Sequence, residues 1–178
     1  MSKAFLRESD FGDAADLPPL VSPLPPGSKN YVTPRGADQL RRNLARLTQA
    51  DRPPLLAESA EDPEAKRALQ ALDQRIRYLR ESLRTAESVS PPTVSDDVVR
   101  FGATVNVREA NGDISDYRLV GVDEADPSRG LVSWTSPLAR ALINARRGDR
   151  VSFLTPAGRT ELEILNISYD SHSDEAST

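Results

Sequence analysis

Apolar residues follow two different periods along the 178-residue chain, and the change of period divides it. From Thr33 to about Ala86 the period is helical. Leu40, Leu44 and Leu47 are spaced four and three apart, and Leu69, Leu72, Ile76, Leu79 and Leu83 repeat at three, four, three and four. That spacing puts each set on one seam, the pattern of two helices paired as an antiparallel coiled coil. Thr33-Pro34 predicts the start of the first arm, because a threonine hydroxyl caps free amides and proline at the first helical position lacks a donor that would be orphaned anyway. Arg52-Pro53-Pro54 interrupts that arm. A proline inside a helix loses a hydrogen bond and clashes one turn back, at a cost of about 3 kcal/mol. The expectation is a bend with Asp51 recapping the helix and Leu55 and Leu56 continuing its apolar side. Between the arms, Glu58, Glu61, Asp62 and Glu64 place four carboxylates within seven residues. Asp62-Pro63-Glu64 repeats the capping logic, so the acids serve to close a hairpin or to form a functional tip.

After Ser88-Val89-Ser90-Pro91-Pro92, a linker signal, the period becomes two. Residues 98–101, 103–108, 115–122 and 131–134 read as strands, with Asn111-Gly112 as a turn that tolerates positive φ. Ser136-Pro137 predicts a short capped helix to about Asn144, and residues 151–154 and 161–167 a terminal hairpin. The fold class is therefore α+β: an N-terminal coiled-coil helical hairpin followed by a small α+β domain. The expected boundaries are a Pro-rich leader over 1–29 and the hairpin over 30–88, with its acidic tip near 58–64. A linker over 89–97, the α+β domain over 98–170 and a frayed tail over 171–178 follow. Five prolines between Leu17 and Gly27 exclude helix from the leader.

Composition narrows the chemistry. An apolar fraction of 38% beside 28% charged residues is lean for one compact core and suits an exposed hairpin next to a smaller globular unit. A net charge of −4 creates no general attraction for nucleic acid. The absence of cysteine removes disulfides, thiolate zinc sites and cysteine nucleophiles. No signal-like or membrane-spanning apolar run occurs, so a cytoplasmic monomer with no membrane partner is expected. No glycine-rich phosphate loop is present, the single histidine, His172, lies in the polar tail, and Trp134 reads as core. The arginines of the second arm, among them Arg67, Arg75 and Arg77, read as a solvated face pairing at helical spacing, such as Asp73 with Arg77. A line of arginines leading to a negative tip also suits guidance of a nucleic-acid end. Glu61 and Asp62 supply oxygen ligands for Mg²⁺, but too few for a full site, so any such ion is shared with another macromolecule. The chain is not expected to be an enzyme on its own.

Several segments, in order, resemble the bacterial GreA/GreB transcript cleavage and elongation factors. They are Asn30-Tyr31-Val32-Thr33-Pro34-Arg35-Gly36, Arg52-Pro53, Asp73-Gln74-Arg75-Ile76-Arg77-Tyr78-Leu79 and Phe101-Gly102-Ala103-Thr104-Val105. Val120-Gly121-Val122-Asp123-Glu124, Ser136-Pro137-Leu138-Ala139-Arg140-Ala141-Leu142, Gly148-Asp149 and Thr155-Pro156-Ala157-Gly158 complete the set. The resemblance implies an FKBP-like (FK506-binding-protein-like) C-terminal domain docking at the rim of the secondary channel of bacterial RNA polymerase. Asp123, Ser136, Pro137, Leu138, Ala139 and Arg140 would form the docking surface. The hairpin would enter the channel near nascent RNA, its arginines facing that RNA, and its tip would help the polymerase hold a second Mg²⁺. The family's glycine-aspartate and glutamate-asparagine tip pattern is absent here, and roughly a dozen residues are missing between the arginine-proline and arginine-tyrosine-leucine marks. Split over two helices at about 1.5 Å per residue, that shortens the rod by about 9 Å. The leading expectation is an elongation modulator with cleavage stimulation reduced or absent. The alternatives are a full cleavage factor using Glu61 and Asp62, a regulator of nucleoside diphosphate kinase of the short-hairpin Rnk type and, from another class, a prolyl isomerase.

Overall fold

The computed structural model describes residues 20–92 and 97–169. The leader as far as residue 19, the linker positions 93–96 and the tail with His172 lie outside the described residues. The chain is mixed α+β and divides into two compact units, one formed by Asn43–Glu81 and the other by Pro23–Arg42 together with the chain from Ser82 onward. Among the described residues, no helix is long and apolar enough to cross a membrane.

The helical region is hairpin-like. Helix α1 (Pro34–Arg46) leads into a π-turn (Leu47–Asp51) and then α2 (Arg52–Glu58), and after a tight turn α3 runs over Pro63–Thr85. The interruption at Arg52-Pro53-Pro54 differs from the expected capped bend. Asp51 makes no side-chain cap, and its carboxylate instead pairs with Arg46. Pro53 and Pro54 cannot donate, and just before them the helix widens: the Arg52 amide reaches back five residues to the Leu47 carbonyl. The widening shifts the inward face by one residue. Leu44 is half-buried and Leu47 buried, but beyond the π-turn Arg52, Leu55 and Ser59 are half-buried while Pro54 and Glu58 are exposed.

In the other unit, β1 (Asn30–Val32) and β2 (Ala86–Ser88) form a two-stranded parallel ribbon, where sequence spacing predicted only a hairpin entrance and a linker. Asn30 is buried, and its side-chain amide donates to the Ser82 carbonyl at 2.9 Å and to the Ser82 and Thr85 hydroxyls. A five-stranded sheet follows from β3 (Thr104–Glu109), β4 (Ile114–Val120), β5 (Leu131–Ser133), β6 (Arg150–Thr155) and β7 (Gly158–Ser168). Its order is β5-β4-β3-β7-β6, with only the β4–β5 pair parallel. Val98-Val99-Arg100-Phe101 is not a strand. Val98 makes one isolated bridge to Arg146, and the chain turns at Gly102, where φ is +84°.

The core sits on one face of the sheet and is covered by α4 (Pro137–Leu142), which contributes Ala139 and Leu142. Alternation places Val105 and Val107 of β3 inward, as it does Leu162 and Ile164 of β7. Strict alternation would then turn Asn166 inward. A register shift between Asn106 and Val107 leaves Leu165 unpaired, so Asn166 lies opposite Asn106 and Ile167 reaches the core.

Candidate functional site

The acidic turn is built by local capping. Asp62 precedes α3, and its Oδ1 accepts the Glu64 amide at 2.8 Å while its carbonyl accepts the Lys66 amide at 3.0 Å. The Glu61 and Asp62 amides in turn donate to the Glu58 carbonyl, ending α2. All four acids, Glu58, Glu61, Asp62 and Glu64, are exposed. They are oxygen donors of the kind Mg²⁺ takes, but one Asp62 oxygen serves the helix start. Among the described residues, no group of three or more His, Asp or Glu side chains converges as a metal site.

Arg67, Arg75 and Arg77 are exposed on α3. The Arg75 guanidinium lies 5.2 Å from the Tyr78 ring centroid. Asp73 does not serve Arg77, as helical spacing suggested. It bonds Arg52 of the facing arm through both oxygens, Oδ1 to Nε at 2.8 Å and Oδ2 to a terminal nitrogen at 3.3 Å. That carboxylate holds the guanidinium above its usual pKa range.

The segment expected to form a docking surface begins with a side-chain cap: Ser136 Oγ accepts the Ala139 amide at 3.1 Å, and Pro137 takes the first helical position. Pro137 and Arg140 are exposed, whereas Ala139 is fully buried and Leu138 packs against the core. The outward chemistry of this segment is therefore carried by Pro137 and Arg140. Trp134 sits outside the principal core, half-buried, with its ring 5.4 Å from Tyr31, which in turn lies 5.8 Å from Phe101.

Asp123 is half-buried and accepts a hydrogen bond from Ser82 Oγ. Its neighbour Glu124 is the residue that sequence reasoning missed. One Glu124 oxygen accepts the Thr33 amide at 2.8 Å and the Gly121 amide at 3.0 Å, and the other accepts the Thr33 hydroxyl. Thr33 Oγ1 meanwhile accepts the Gly36 amide at 2.9 Å, so one chain of bonds closes the start of α1. A Cβ at Gly36 would stand 2.0 Å from the Glu124 carboxyl carbon, and one at Gly121 would stand 2.4 Å from the Tyr31 carbonyl oxygen. Asp123 and Glu124 thus hold the end of α3 and the start of α1, respectively, against a single 3₁₀ turn over Val122–Glu124.

Residues 94–169 match the family described as "Transcription elongation factor, GreA/GreB, C-term". The chain is 38% identical over 155 residues to the transcription elongation factor GreB of Neisseria meningitidis, covering 80% of this chain and 95% of that one. It is also 38% identical over 156 residues to the transcription elongation factor GreA of Alkalilimnicola ehrlichii, covering 80% and 99%. Eighty per cent of 178 residues is about 142, against 155 aligned with the Neisseria protein, so about a dozen aligned positions have no counterpart here. Among solved structures, the GreA factor homolog Gfh1 of Thermus thermophilus is 24% identical with a TM-score of 0.38, covering 79% of this chain and 99% of that one. A GreA/GreB factor from Nitrosomonas europaea is 23% identical with a TM-score of 0.39, covering 79% and 100%.

Proposed function

The chain belongs to the GreA/GreB family of transcription elongation factors, and we propose that it acts as one by binding RNA polymerase at the secondary channel. In this reading the hairpin is a coiled coil that enters the channel, and the α+β domain is FKBP-like and docks at the rim. Pro137 and Arg140 make the contact, on a helix fixed by the Ser136 cap. Asp123 contributes through the fold, since it is bonded to Ser82. Arg67, Arg75 and Arg77, exposed along the second arm, face the nascent RNA. The observation that carries the proposal is the similarity to GreB and GreA over about four-fifths of the chain.

We further propose that this factor modulates elongation while stimulating transcript cleavage weakly or not at all, and that the chemistry of any RNA cleavage belongs to the polymerase active site. Glu61 and Asp62 are the residues that would share a Mg²⁺ ion with the polymerase. When bound, such an ion activates water and stabilises developing charge in phosphodiester hydrolysis. A shortening of about 9 Å is large beside the roughly 2 Å ligand distance of Mg²⁺. The commitment of one Asp62 oxygen to the Glu64 amide reduces the donor set again. The test is RNA shortening in backtracked elongation complexes. The expected result is cleavage within about twofold of the rate without factor, unchanged by Glu61→Ala with Asp62→Ala. Strong shortening that the double substitution removes would make the chain a full cleavage factor.

A further inference from the structure

The interruption of the first arm does more than accommodate two prolines. An α-helical continuation from Leu44 and Leu47 would present residues 51, 54 and 58 inward; beyond the π-turn Leu55 and Ser59 are half-buried while Pro54 and Glu58 are exposed, and at the turn itself Asp51 and Arg52 are both half-buried. The one-residue shift turns the Arg52 guanidinium onto α3, where both Asp73 oxygens receive it. Asp51, half-buried like Arg52, is held instead by Arg46. Between this point and the tip, α2 has six further residues and none is buried. On the opposite arm Ala65 is buried near the tip, and Ile76 is the next buried position. Apolar burial therefore fixes α2 weakly, and the bidentate pair is a directional contact between α2 and α3.

We propose that the π-turn and the Arg52–Asp73 pair together form a clamp that sets where the tip residues 58–64 stand, making Arg52 and Asp73 positioning residues for the tip. The proposal extends the hairpin role proposed above, but the geometry of the clamp is measurable without polymerase. A planar guanidinium meeting a carboxylate through two bonds fixes orientation as well as distance, which an ammonium does not.

The natural chain has no cysteine, so paired spin labels can be placed at Ala57→Cys on α2 and Ala68→Cys on α3, both exposed. Pulsed dipolar spectroscopy on the full chain then reads the separation. The expected result is one narrow distribution in the parent, broadened by about half or more in Arg52→Ala or Asp73→Ala. Arg52→Lys, which keeps charge and stem but loses the fork, should fall between. The exchanged pair Arg52→Asp with Asp73→Arg should be narrower than either of its single substitutions. Unchanged widths in the alanine variants, or an exchanged pair no narrower than its singles, with helix content intact, overturn the clamp. In a polymerase assay, Arg52→Lys should bind within about twofold of the parent while its effect on elongation falls about threefold. Absence of polymerase binding by the parent would overturn the function proposed above, and the distance measurement would still decide the clamp.

Discussion

At the scale of single residues, Glu124 is the side chain on which the start of the first arm depends. It receives three donors from Thr33 and Gly121, and Gly36 is cleared of a side chain to admit it. Glu124→Ala leaves those donors without their partner and should lower stability by about 1–3 kcal/mol in urea unfolding. Gly36→Ala should be costly in the parent and distinctly milder in the Glu124→Ala background, because the clash it creates is with that carboxylate. Equal costs in the two backgrounds would contradict the packing described here. The caps at Thr33, Asp62 and Ser136 were legible in the sequence because donor and acceptor lie within three residues of each other. Glu124 was not legible, since its Thr33 partner is 91 positions away. Asp73 illustrates the same limit: local spacing offered Arg77, but the fold brings in Arg52 from 21 residues away.

At the scale of elements, two irregularities decide which residues face inward, and both shift a periodic pattern by one. The π-turn does so in the first arm, and the unpaired Leu165 does so in β7. Deleting Leu165 should leave a regular strand with Leu162, Ile164 and Ile167 still inward, and cooperative unfolding should persist. Deleting Glu163 should turn Ile164, which is 1% exposed in the parent, away from the core and abolish the cooperative transition. Circular dichroism with thermal melts of the two deletions checks this, and similar behaviour by both would contradict it. Periodicity located the two arms and most strands because half-buried elements repeat faithfully. It could not reveal the β1–β2 ribbon, whose three-residue strands are too short to show a period. It also assigned strand to residues 98–101, where Val99 is buried without lying in a ladder and Gly102 turns the chain. The Asn111-Gly112 turn was legible as a turn. Its geometry differs, with positive φ at Gly112 alone and Asn111 Oδ1 accepting the Asp113 amide.

At the scale of the whole molecule, this chain belongs to the GreA/GreB family and aligns over about four-fifths of its length with a GreB 38% identical to it. Ser136 caps the helix proposed to dock, and the proposed tip carries exposed acids, one of which caps α3. Binding and tip chemistry are thus separable, and binding is the central claim. The most direct measurement is equilibrium binding of the full chain to purified bacterial RNA polymerase, with unlabelled GreB as competitor. The account predicts saturable binding at one factor per polymerase and complete displacement by GreB, with Arg140→Glu weakening the complex by about tenfold. No binding, or simultaneous occupancy by both factors, would contradict it.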